Sequence, residues 1–222
     1  YPFMGAVLLF MALGVGIMLV VGDINGTHEM VELTPSMLKN WHADPQTNIM
    51  IPMMFIVISC GAISGFHATQ SPMMARCLKN EKYARPVFYG AMIAEGIVAM
   101  VWATAAMAYF GGPEGLNAAM TETGTMIDGV LVKNAQAADV VDMICKSWLG
   151  KAGAVIAILG VVICPITSGD TAFRSLRLSL ADLFKCDQKP IMKRLLVSLP
   201  IFVVAFFFCK VDFSTAWSYL GI

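Results

Sequence analysis

Apolar residues in this chain come in long unbroken runs, and polar stretches between them carry nearly all of the charge. Five runs, near 3–22, 49–66, 86–110, 152–168 and 195–210, reach or approach the roughly 20 helical residues that cross a bilayer of about 30 Å. The fourth and fifth are short by strict hydropathy and extend into their polar flanks. A sixth begins at Trp217. Alternation at period two is absent from the runs, which argues against a β-barrel. A single run of this kind also suits the buried helix of a large soluble protein; five in 222 residues do not. The pattern predicts an all-α, polytopic transmembrane helix bundle in which 1–222 form part of one domain.

Composition agrees: 58% of residues are hydrophobic, 14% are charged and the mean hydropathy is +0.72. Soluble domains average roughly 45–50% apolar and 25% charged. A net charge of +0 argues against a nucleic-acid-binding surface. The six cysteines have no paired spacing and fall in or beside apolar runs, so they read as small buried residues, not a disulfide framework or zinc site. No metal or cofactor is expected. Tyr1 is followed by no basic leader, so no signal peptide is predicted, and the sequence reads as a piece of a longer protein.

Basic residues set the orientation. Arg76, Lys79, Lys82 and Arg85 crowd 71–85, and Arg174, Arg177, Lys185, Lys189, Lys193 and Arg194 crowd 174–194. Both connections are predicted to be cytoplasmic. The acid-rich connections 23–48 and 111–151 are predicted to lie outside. Within the second, residues 135–148 place Val140, Val141, Ile144 and Trp148 near one helical face, an outer amphipathic helix that is either an interfacial rest or a lid. His28 and His42 lie among acids without ligand spacing and read as solvated loop residues. Asn25-Gly26-Thr27 is a glycosylation sequon by pattern only.

The second run does not end as a plain membrane span would. In Ile49–Pro72 the apolar residues give way after Cys60 to two glycines, two hydroxyls, a histidine, a glutamine and a proline. Backbone that leaves the helix at membrane depth is tolerated only against protein or a water-filled cavity, and such broken helices build substrate sites in many secondary transporters. A break is predicted near 60–72. The fourth run dissolves similarly, in Cys164–Ser175, and a second break is predicted near 164–172. Aligned on their cysteines, the two stretches match at five of twelve positions, including Ser64 with Ser168 and Ser71 with Ser175. Thr167, Ser168, Asp170 and Thr171 then form a cation site, or a structural cap in which Asp170 pairs with Arg174.

Glu95 lies deep in the third run with no charge within a helical turn. An ionisable group there is costly and marks a site or a proton relay, unless it only hydrogen-bonds a neighbouring helix. His67, whose imidazole titrates in the useful range, is its candidate partner.

The stretch PMMFIVISCGAISGFHATQSPMMARCLKNE with YGAMIAEG after it resembles the carbon starvation protein A (CstA) family, and Ser168–Asp182, SGDTAFRSLRLSLAD, is similar to that family's later signature. The resemblance implies a prokaryotic inner-membrane transporter associated with peptide uptake, in some members with proton-coupled pyruvate uptake. It implies membership of the amino acid–polyamine–organocation superfamily and, by analogy, a LeuT-like bundle. In that bundle the His67 segment is the broken sixth helix, Glu95 lies on the seventh and Ser168 on the eighth.

Together these features predict a secondary active transporter working by alternating access, and no enzyme. Ser64, Gly65, Phe66, His67, Thr69 and Gln70 bind a small substrate (pyruvate, an amino acid or a short peptide), while Glu95 and His67 carry a coupling proton, with sodium as the alternative ion. The partners are that substrate, its ion and the lipid bilayer. A membrane sensor or scaffold without flux is the other class. An intramembrane enzyme lacks a nucleophile–base pair or metal cluster.

Overall fold

A computed structural model describes the chain except for residues 1, 33, 36–38, 43–44, 47–48, 62–64, 128 and 211–222; of 2, 4, 56–61, 65–69, 161 and 164–165 it describes the backbone alone. The helices are α1 (Pro2–Ile24), α2 (Met50–Gly61), α3 (Gly65–Cys77), α4 (Ala91–Tyr109), α5 (Pro113–Met120), α6 (Ala137–Leu183) and α7 (Ile191–Phe208). A 3-10 turn, Glu81–Tyr83, and a π-helical turn, Arg85–Gly90, lead into α4. A two-stranded antiparallel hairpin, β1 (Thr125–Ile127) and β2 (Val130–Val132), pairs Met126 with Leu131.

Among the described residues, four helices are long and apolar enough to cross a membrane: Gly5–Ile24, Glu81–Tyr109, Ala137–Gly160 and Ile191–Phe208. The chain is a multi-pass membrane helix bundle. The run at 49–66 crosses the undescribed residues 62–64, and the one beginning at Trp217 lies wholly outside the described residues.

The chain folds as two compact units. The first holds residues 1–50 and 80–165. Its core gathers Met11, Val15 and Leu19 of α1, Ala105 and Ala108 of α4, and Val140, Ile144, Cys145 and Trp148 of α6. Small residues let α1 and α6 approach. A Cβ on Gly14 would lie 3.3 Å from Leu149, and one on Gly160 would lie 3.0 Å from Met11. In a membrane, where lipid is as apolar as leucine, such close packing takes the place of hydrophobic drive. The stretch 135–148, read from sequence as an outer amphipathic helix, falls on the part of α6 that precedes the kink at Gly150, with Val140, Ile144 and Trp148 buried.

The second unit holds residues 51–79 and 166–222. Here the structure departs from the sequence reading. The stretch 164–172, expected to break, stays helical; the non-helical residue of α6 is Gly150, at φ 62 and ψ −149. The polar side chains of that stretch are satisfied along the helix itself. The Thr171 hydroxyl donates to the Thr167 carbonyl (2.8 Å), the Ser175 hydroxyl donates to the Thr171 carbonyl (3.0 Å), and Arg174 pairs with Asp170 (2.7 Å). Each hydroxyl shares a carbonyl that already accepts a helical N–H, so the polar group is satisfied without the chain leaving the helix.

Candidate functional site

The polar centre of the second unit forms where α3 meets α6. Gln70, two residues before Pro72 inside α3, points its amide at α6. Its Nε2 donates to the Thr171 carbonyl (3.3 Å) and to the Ser175 hydroxyl. Ser175 is 6% exposed, the buried polar side chain among the described residues. Burying a hydroxyl is costly unless it is bonded, and Ser175 is satisfied twice, as donor to Thr171 and acceptor from Gln70. A carboxamide, with two donors and an acceptor, is suited to tie a helix to another helix's carbonyl and hydroxyl together.

Thus Gln70 and Thr171, named separately from sequence as substrate and cation residues, are brought together. Thr167 is half-buried, while Ser168 and Asp170 are exposed. Asp170 makes an ion pair with Arg174, the alternative reading of the sequence. Sequence reasoning missed Ser175 as the residue Gln70 meets. Ser64 lies outside the described residues, as do the side chains of Gly65, Phe66, His67 and Thr69, whose backbone belongs to the first turns of α3.

In the first unit, Glu95 stands in the second turn of α4 and is exposed, as are Ile93 and Ile97 on the same segment. The buried residues of α4 are Ala105 and Ala108, at its far end. The π-helical turn Arg85–Gly90 precedes Glu95 by one turn, and such turns often accompany functional sites. His28 is not the solvated loop residue expected: its ring packs 4.8 Å from that of Trp148, and its amide bonds the Gly22 carbonyl (3.3 Å). Among the described residues, no cluster of three or more His, Cys, Asp or Glu is placed to hold a metal ion.

The family profile of carbon starvation protein CstA matches residues 3–147. The chain belongs to the CstA family. An uncharacterized membrane protein of Haemophilus influenzae is 39% identical over 139 residues, which cover 57% of this chain and 37% of that protein. The pyruvate/proton symporter BtsT of Escherichia coli is 47% identical over 58 residues, 26% of this chain and 8% of the symporter. The peptide transporter CstA of Campylobacter jejuni is 47% identical over 53 residues, 23% and 8% respectively. The chain thus spans about a third of the Haemophilus membrane protein and a smaller part of the two transporters. No solved structure matches it. The SGFH and YGAMIAEG motifs fall within the CstA-matched residues; the Ser168–Asp182 motif, with Thr171 and Ser175, falls beyond them.

Proposed function

We propose that this CstA-family chain is part of a secondary active transporter that takes up a small metabolite by alternating access in the inner membrane of a prokaryote. The observation that carries the reading is the Gln70 amide bonded to Thr171 and Ser175, a buried polar junction between two helices of a multi-pass protein. The likeness to BtsT and to peptide transporters supports the class. Their chemistry favours a small carboxylate or short peptide, with pyruvate as the first candidate.

In this reading Ser64, Gly65, Phe66, His67, Thr69 and Gln70 line one wall of the substrate site, with the first turns of α3 offering free amides to a carboxylate. His67 and Glu95 carry the coupling proton, and sodium is the competing ion. Glu95 stands in the second turn of α4, within the membrane-spanning stretch Glu81–Tyr109. Thr167, Ser168, Asp170 and Thr171 hold either a cation or the local helix. Loops 71–85 and 174–194 are cytoplasmic, 23–48 and 111–151 lie outside, and the bundle is LeuT-like. Glu95→Gln tests the coupling: gradient-driven uptake is lost while expression stays normal, and unchanged uptake removes the proton role.

A further inference from the structure

A second polar feature of the same unit lies apart from the Gln70 junction. Between α6 and α7 lies a cleft of about 140 Å³ lined by Asp170, Phe173, Arg174, Arg177, Ser198 and Phe202. Phe173 and Phe202, 4.8 Å apart, pack the two helices together beside it. Asp170 neutralises Arg174. Among the described residues, Arg177 forms no ion pair. Its Nε is buried with no hydrogen bond among the described residues. A guanidinium stays charged at any accessible pH, and a buried donor left unmade costs more than a typical bond gains. The cleft therefore offers one uncompensated positive charge, a second guanidinium and the Ser198 hydroxyl, in a volume well beyond that of a single water.

The cleft opens onto an apolar groove. Ser198 and Phe202 line both, and the groove continues along α7 past Leu195, Leu199, Val203 and Phe206 to Phe207. Those residues are exposed, Leu199 by 62% and Phe207 by 66%. From Ser198, which the cleft shares, to Phe207 the helix rises roughly 14 Å at 1.5 Å per residue, close to the depth of one leaflet's hydrocarbon. A cationic pocket at one end and an apolar track of leaflet length from it describe the two halves of an amphiphile. The end of α6, the connection and the start of α7 add Lys185, Lys189, Lys193 and Arg194 against Asp182 and Asp187, a basic balance that favours an anionic lipid over a zwitterionic one.

We propose that the α6–α7 cleft is a binding site for an anionic phospholipid, with the phosphate on Arg177 and Arg174 and an acyl chain along the α7 groove. A planar guanidinium fork matches phosphate oxygens in a bidentate geometry. The site is independent of the substrate reading: it uses neither Gln70 nor Glu95, and it stands or falls whichever solute is moved.

The test is lipid retention by the full-length protein in detergent, read by native mass spectrometry with phosphatidylglycerol and phosphatidylcholine offered in equal amounts. The wild type retains phosphatidylglycerol in preference. Arg177→Gln lowers that retention about fivefold, the worth of roughly one basic group near an anionic surface. Arg177→Lys, which keeps the charge, retains most of it. Leu199→Trp, which fills the groove and leaves the arginines, also weakens retention, while far-ultraviolet circular dichroism of each variant stays that of the wild type. Equal retention of the two lipids, or an unchanged preference in Arg177→Gln, overturns the proposal. Full displacement of the lipid by glycerol phosphate or inorganic phosphate would reassign the cleft to a soluble anion and equally overturn it.

Discussion

Gln70 and Ser175 are bonded side chain to side chain across α3 and α6, and the same Gln70 amide reaches the Thr171 carbonyl at 3.3 Å. The buried Ser175 hydroxyl depends on this contact. Removing one partner of a buried hydrogen bond costs about 1–3 kcal/mol, more than the bond's net worth. Gln70→Ala and Ser175→Ala each lower stability in that range, and the double variant costs less than their sum. A coupling of about 0.5–1.5 kcal/mol in a double-mutant cycle, read by thermal unfolding in detergent, is the expected value. Additive losses would mean that the two side chains do not act on each other.

The Asp170–Arg174 pair has a different expected value. Its side chains are 48% and 45% exposed, one helical turn apart. Solvent screening leaves such a pair about 0.3–0.5 kcal/mol. Asp170→Asn therefore moves the unfolding midpoint little. If Asp170 also serves a coupling cation, the same variant loses ion-driven uptake at unchanged stability. A loss of stability above about 1 kcal/mol would contradict the assignment of this pair as a surface contact.

Gly150 tests the interruption of α6. Its φ of 62 and ψ of −149 belong to a region open almost solely to glycine, and a Cβ there would meet nothing within 4 Å. Gly150→Ala thus costs backbone strain without a clash, about 1–3 kcal/mol. Chemical denaturation of the purified variant reads it directly. A neutral substitution would mean that α6 runs straight through this residue.

Gly22 and His28 form a further close approach. A Cβ on Gly22 would lie 2.8 Å from the His28 ring, which stacks on Trp148. Gly22→Ala pushes the imidazole off the indole. In a background with Trp148 as the single tryptophan, Gly22→Ala and His28→Ala give the same change in fluorescence. If only His28→Ala changes the emission, the ring accommodates the methyl group.

The long apolar helices were legible because hydrophobicity over 20 residues needs no partner to be read. Thus α1, α4 and α7 fall where the runs at 3–22, 86–110 and 195–210 lie. Pairings between helices were not. The sequence match of Ser71 with Ser175 says nothing of contact, and the residue that meets Ser175 is Gln70, because rotation about a helix axis is set by packing and not by order along the chain. The second break failed for a related reason. Polar composition reads as a sign of broken backbone, but Thr171, Ser175 and Asp170 bond within one helix. The β1–β2 hairpin had a readable signal that was passed over: Asp128-Gly129 between Thr125-Met126-Ile127 and Val130-Leu131-Val132 is a strong short-range turn pattern. Gly150 and the His28–Trp148 contact carried no comparable signal. Membership of the CstA family was legible from the SGFH and YGAMIAEG motifs, which lie inside the matched residues.

The most direct measurement of transport is labelled pyruvate uptake into proteoliposomes of the full-length protein, with and without an inward proton gradient. Accumulation that depends on the gradient, is lost in Glu95→Gln and falls in His67→Ala is the predicted result. Uptake that ignores the gradient, or is unchanged in both variants, would contradict proton coupling through Glu95 and His67, and no uptake of pyruvate, peptides or amino acids under proton or sodium gradients would contradict the transporter itself.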